Sequence, residues 1–280
     1  MKKLALPRLT LLALLLGIGL QQANAQLYIG LHGGATVPVG FYAESRMSDN
    51  EWMFTQGHQR QAGAGTGWAA GVDFSYAMPF HSNLEIILAA DFMQSGVSRD
   101  VEEYFTLRFS QRYNQCSRYE MILPRLRNIP ILAGVQYRFP LTTTINLYGQ
   151  ALAGINLRYI TPWSLSFADA EWNFPSDDES LLYNNVKVYT YAPATTFALR
   201  LGGGFFIKDI VSIGFSYNIL GASPLIWDQT ETVRYNVYGN LHVIKNETHV
   251  DYYDLNPTLV LISLGVRLKA FSGSRRVQDW

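Results

Sequence analysis

Five histidines and a single cysteine bound the chemistry open to this 280-residue chain. A serine hydrolase needs a serine, a histidine and an acid within hydrogen-bond reach. His32, His242 and His249 are available as bases, but no Gly-x-Ser-x-Gly elbow presents a nucleophile. His58, His242 and His249 lack the tight spacing of a metal site. Cys116, standing alone, removes intramolecular disulfides and Cys-rich zinc sites together. No phosphate loop or dinucleotide fingerprint follows a strand. The expectation is therefore a chain without cofactor or metal, and not an enzyme. The charges that could still do chemistry are Asp73, Glu85, Asp91, Arg158, Arg200, Arg267 and Lys269, each set among apolar or small residues. Such groups either line an ion or proton path or neutralise one another in a closed interior. Pairing is the stronger expectation, because burying one charge without its partner is costly.

The elements that must carry these residues are strands. Apolar residues recur at every second position, the mark of a strand with one apolar face. Trp68, Ala70, Val72, Phe74 and Tyr76 alternate with Gly67, Ala69, Gly71, Asp73 and Ser75. The same split runs through 27–37, 84–92, 129–139, 145–159, 197–207, 211–219 and 260–268, with a hairpin across Lys208-Asp209. The charged residues above fall on the small, polar face. Eight strands make an even number, as closure of an up-and-down barrel requires.

Connection lengths separate a membrane barrel from a soluble one. Segments 77–83, 140–144 and 208–209 are short, whereas 38–64, 94–117, 160–195 and 220–256 are long. Strict alternation of short and long is the asymmetry of an outer-membrane barrel, with tight periplasmic turns and long outer loops. Tyr76, Phe80, Tyr137, Phe139, Phe205 and Phe271 fall at the short-turn ends, and Trp68, Phe92, Tyr159, Trp163, Phe197 and Tyr217 at the other, as two aromatic girdles would. An eight-stranded lumen is filled by side chains, which argues against an open pore.

The N-terminus fits that location. Lys2 and Lys3, an apolar run from Leu11 to Leu20 and the Ala23-Asn24-Ala25 site read as a signal peptide spanning 1–25. The barrel domain is expected over 26–271 and a polar tail over 272–280. Removal of Lys2, Lys3 and Arg8 leaves nineteen basic against twenty-two acidic residues, without the basic surplus of a nucleic-acid binder. A 48% hydrophobic composition with mean hydropathy near zero excludes a disordered chain.

At Leu126-Arg127-Asn128-Ile129-Pro130-Ile131-Leu132, followed by Tyr137-Arg138-Phe139, the chain resembles the PorT-like outer-membrane β-barrel proteins of Bacteroidota. The resemblance implies an all-β, eight-stranded antiparallel transmembrane barrel, OmpX-like in architecture, in a Gram-negative outer membrane. Members of that group include secretion components and adhesins, so no single activity follows.

The long loops carry what can be said of partners. Val233, Tyr235 and Val237 alternate up to Gly239-Asn240, and Leu241 and Val243 return, a β-hairpin projecting beyond the membrane. Residues 105–109 and Val186, Val188 and Thr190 alternate as well. Such strands offer edges to another chain, and the aromatics between 163 and 174 and at Tyr252 and Tyr253 suit a protein or glycan. The expected role is binding, adhesion or secretion and assembly through outer loops, as a monomeric barrel in lipid or part of an envelope complex. A lipid-modifying enzyme and, less favoured, a small pore are the alternatives.

Overall fold

Each apolar-alternating segment forms a strand, and the strands close on themselves. The computed structural model describes residues 26–43, 63–78, 81–103, 116–172, 181–235 and 241–272. The expected signal peptide and all but the first residue of the tail lie outside them, as do His58, Phe80, Val237 and residues 105–109. Eight strands form a closed antiparallel barrel: β1 (Gln26–Pro38), β2 (Ala64–Met78), β3 (His81–Val97), β5 (Leu126–Pro140), β6 (Ile145–Ile160), β9 (Ala194–Ile207), β10 (Val211–Ile219) and β13 (Thr258–Ser272). Closure comes from β1 pairing with β13, from Gln26 opposite Ser272 to Pro38 opposite Leu259.

Register follows the faces. Leu31, Phe74, Leu88, Val135, Ile155, Phe197, Phe215 and Leu264 point outward and are exposed. Glu85, Asp91, Asn128, Asn156, Arg200, Asn218 and Arg267 point inward and are buried. Moving any strand by one residue would exchange the two sets, so the pattern itself specifies the pairing. One turn is held from inside the barrel. Lys208 and Asp209 both adopt positive φ (53° and 55°) between β9 and β10, and the Asp209 carboxylate accepts from Asn146 Nδ2 at 2.8 Å and from Arg138 Nη1 at 3.3 Å.

The long connections are more ordered than loops. The remaining strands are β4 (Cys116–Ile122), β7 (Trp163–Trp172), β8 (Leu181–Tyr191), β11 (Ser223–Tyr235) and β12 (Leu241–Leu255), paired in the order β12-β11-β8-β7-β4. That order repeats the barrel order β13-β10-β9-β6-β5, because each of these strands continues a barrel strand after a break of two or three residues. Part of the barrel wall therefore extends past the rim as a second sheet.

The breaks share a chemistry. Pro124, Pro162, Pro193 and Pro257 occupy four of them, and Gly221, at φ 72°, the fifth. Proline has no N–H for the ladder, so strands bend where it stands. The seam is bridged by backbone bonds from Thr161 N to Arg125 O at 3.0 Å, Ala192 N to Ile226 O at 2.9 Å and Leu220 N to Pro257 O at 2.9 Å.

Candidate functional site

The lumen is the densest concentration of polar side chains among the described residues, and it is layered. Near the short turns, β3 presents Glu85, β13 presents Arg267 and β5 presents Gln136 and Arg138. Arg267 Nη2 lies 2.6 Å from Glu85 Oε2, Arg138 Nη2 lies 2.9 Å from Glu85 Oε1, and Gln136 Nε2 donates to Glu85 Oε2 at 3.0 Å. The Arg267 guanidinium stacks on Tyr28, 3.8 Å from the ring centroid, with Phe206 at 4.9 Å. One fully buried carboxylate thus serves two guanidiniums, and aromatic faces take part of the cationic charge.

Six residues further along β3 lies the second layer. Asp91 Oδ2 accepts from Arg200 Nη2 at 2.5 Å, while Asp91 Oδ1 meets His32 Nε2 at 2.5 Å. Arg200 Nε donates to Asn218 Oδ1 at 2.6 Å. Asp73 Oδ2 stands 3.9 Å from His32 Nδ1, so both imidazole nitrogens face carboxylates. Glycine makes room for this cluster: a Cβ on Gly71 would sit 2.2 Å from Asp91 Oδ1, and one on Gly30 1.8 Å from Asp73 Oδ2. Between the layers Ile87, Ala89, Leu132 and Leu152 are buried.

A third layer closes the rim. Asn156 Nδ2 donates to Asn128 Oδ1 at 3.0 Å, and Arg158 Nη1 to the Leu255 carbonyl at 2.9 Å and, through Nη2, to Ser223 Oγ. Tyr42, in the short 3-10 turn Gly40–Tyr42 after β1, packs into this end at 1% exposure, and burial pushes its hydroxyl up to about 12.

Of the charges singled out from sequence, Asp91 meets Arg200 and Glu85 meets Arg267, Asp73 faces His32, and Arg158 lies at the outer rim. Lys269 keeps the parity of Arg267 and pairs with Tyr28, but it stands at the short-turn mouth of the barrel and is exposed there. The sequence reading left Arg138, Gln136 and Tyr28 out of the network. Their inward parity on β5 and β1 was the available signal. Pro130 of the Ile-Pro pair faces the lumen, and there the β3–β5 ladder skips from Ala90–Ile131 to Met93–Asn128, opposite Asp91.

Beyond the rim β11 and β12 form the expected hairpin, with Val233 opposite His242 and Arg234 opposite Leu241. Tyr235 pairs with Tyr183 of β8, and Val243 with Thr232. Trp163 is not part of an outward girdle. It is 4% exposed, stacked on Tyr189 with centroids 4.1 Å apart, and its Nε1 donates to the Tyr191 hydroxyl at 3.0 Å. Trp68, Tyr159, Phe197 and Tyr217 do face outward at that end, and Phe139 and Phe205 at the other.

Fold and interior define an eight-stranded closed antiparallel barrel with a filled, charge-paired lumen. No protein-family model and no curated protein matches the sequence. Among solved structures, the chain is similar to Ail, the attachment invasion locus protein of Yersinia pestis, at 12% identity and TM-score 0.33, over 87% of this chain and 97% of that one. It is also similar to OprG of Pseudomonas aeruginosa (15%, TM-score 0.37, 89% and 99%) and to a major outer membrane protein of Thermus thermophilus (12%, TM-score 0.36, 88% and 98%).

Proposed function

We propose that this chain is an integral outer-membrane barrel of a Gram-negative bacterium that holds a partner on the strand extension above its rim, and that it is not an enzyme. Its outer surface supports the membrane reading. Leu31, Phe74, Leu88, Val135, Ile155, Leu201, Phe215 and Leu264, one from each barrel strand, make an apolar band around the whole circumference, which water would not tolerate on a monomer but hydrocarbon favours. A closed barrel leaves no unpaired edge in lipid.

The observation that carries the binding role is the continuation of five barrel strands into the sheet β12-β11-β8-β7-β4. A rigid wall raised above the membrane presents backbone edges and side chains to another molecule. The resemblance of residues 126–139 to PorT-like barrels favours a secretion or assembly component among the binding roles. The lumen gives little support to a hydrolase: a triad base holds an acid on one nitrogen and the nucleophile on the other, whereas both nitrogens of His32 face Asp73 and Asp91.

Crosslinking in the native membrane tests the reading. Deletion of residues 231–247 is expected to abolish recovery of crosslinked partners while heat-modifiable gel migration persists. Unchanged crosslinks after the deletion reject the extension as the binding surface. A change in membrane lipid composition on His242→Ala or His249→Ala would favour the lipid-modifying alternative.

A further inference from the structure

Among the described residues of the eight barrel strands, the outward positions are apolar, small, hydroxyl-bearing or amide residues, with a single exception. The one Lys, Arg, Asp or Glu on that face is Arg127, next to the outer end of β5. Its chain neighbours Leu126 and Asn128 point inward and are buried. A guanidinium on a lipid-facing wall must reach water or an anion, because hydrocarbon solvates neither its charge nor its N–H groups.

Arg127 stands in an ordered row. Across the adjacent strands β2, β3, β5 and β6, Trp68 pairs with Gln94, Gln94 with Arg127 and Arg127 with Tyr159. Trp68 and Tyr159 are exposed on the outer face, and Phe92 packs on Trp68 with ring centroids 5.3 Å apart. Such rings settle at headgroup depth, and the cation lies between them. Gln94 Oε1 accepts from Arg127 Nε at 2.9 Å. That bond fixes the guanidinium plane and leaves its Nη1 and Nη2 edge, which no carboxylate among the described residues meets. Arg125, two residues further out, is exposed too, and its backbone is pinned by Thr161, through N to Oγ1 at 2.8 Å and through O from Thr161 N at 3.0 Å. The acids on this side, Asp100, Glu102 and Glu103, follow the end of β3, beyond the row. Two parallel donors on one guanidinium edge match two oxygens of a phosphate.

We propose, resting on the membrane reading of the barrel, that Arg127 is the seat for the phosphate of an anionic lipid in the leaflet on the side of the strand extension. Gln94 aims the guanidinium, Arg125 adds a second positive charge above it, and Trp68 and Tyr159 flank the headgroup and the first acyl carbons.

The probe is phosphatidic acid brominated on its acyl chains, in phosphatidylcholine vesicles, read by the part of the tryptophan quenching that Trp68→Phe removes. It is expected to bind beside Trp68 about fivefold more tightly than brominated phosphatidylcholine, the advantage of one guanidinium near a membrane surface. Arg127→Gln should abolish the preference and Arg127→Lys should keep part of it. Arg99→Gln should leave it whole, since Glu103 already compensates that exposed charge at 2.7 Å. Heat-modifiable migration reports insertion separately. A chain that never folds into vesicles defeats the membrane reading and the seat with it. An inserted barrel quenched equally by both lipids, or with the same preference in wild type and Arg127→Gln, overturns the seat alone. Equal preference for brominated oleic acid would reduce it to general attraction of negative charge, and loss of the preference on adding inorganic phosphate would make free phosphate the ligand; either result overturns the lipid assignment.

Discussion

Asp91 and Arg200 stand 109 residues apart in the chain, yet their side chains meet at 2.5 Å in a lumen where the carboxylate is fully buried. Strand β3 carries one and β9 the other, across the barrel from each other with β5 and β6 between them along the wall. The contact therefore ties opposite sides of the cylinder, which backbone ladders between neighbours cannot do.

Removing one partner should be costly. Arg200→Met is expected to destabilise the folded barrel by about 3–5 kcal/mol, because it leaves Asp91 buried beside His32 alone. Asp91→Asn combined with Arg200→Met should recover a large part of that loss. Urea titration of the heat-modifiable folded band measures both, and equal stability of the single and double variants would contradict the pairing.

The lower layer should keep the lumen shut. Wild-type protein in planar bilayers is expected to give no steady single-channel current, since Glu85, Arg138, Gln136 and Arg267 meet across the axis. Glu85→Gln should lower stability more than Arg138→Met, because it leaves buried Arg267 without a carboxylate and Arg138 with Asp209 alone, whereas Glu85 keeps Arg267 after Arg138→Met. Large stable currents from the wild type would mean that the plug is a pore.

Two glycines on the barrel wall should behave oppositely. Gly71→Ala drives a methyl group into Asp91 and His32 and should cost about 1–3 kcal/mol. Gly149→Ala, whose Cβ meets nothing within 4 Å, should be tolerated with no more than a small change. Unfolding midpoints of the two variants decide the matter.

Tryptophan placement gives a test of the membrane boundary. Trp68 is 49% exposed on the outer face, whereas Trp163 is buried in the extension sheet. Lipids brominated along the acyl chain should quench wild-type fluorescence, Trp68→Phe should remove part of that quenching, and Trp163→Phe should leave the quenched amount unchanged. Loss of quenching from Trp163→Phe instead would reverse the assignment of faces.

The eight barrel strands could be read from the sequence alone, because side chains on a strand alternate with a period of two and the two faces meet different surroundings. Leu84-Glu85-Ile86 and Val266-Arg267-Leu268 each reveal an inward charge between outward apolar residues. Connection lengths likewise distinguished the two ends. Which charge meets which could not be read in this way. Glu85 and Arg267 are 182 residues apart, and their meeting depends on the stagger of every strand around the closed wall. Arg138 joins them only because β5 lies beside β3, and Lys269, two residues past Arg267 on the same face, is exposed because it stands at the short-turn mouth of the barrel. The second sheet was legible only in fragments such as 186–190 and 233–243, because its strands continue barrel strands across proline breaks that look like loop residues in sequence. Local alternation determines which face a residue takes. Closure of the barrel, a property of all eight strands at once, decides the partner it finds there.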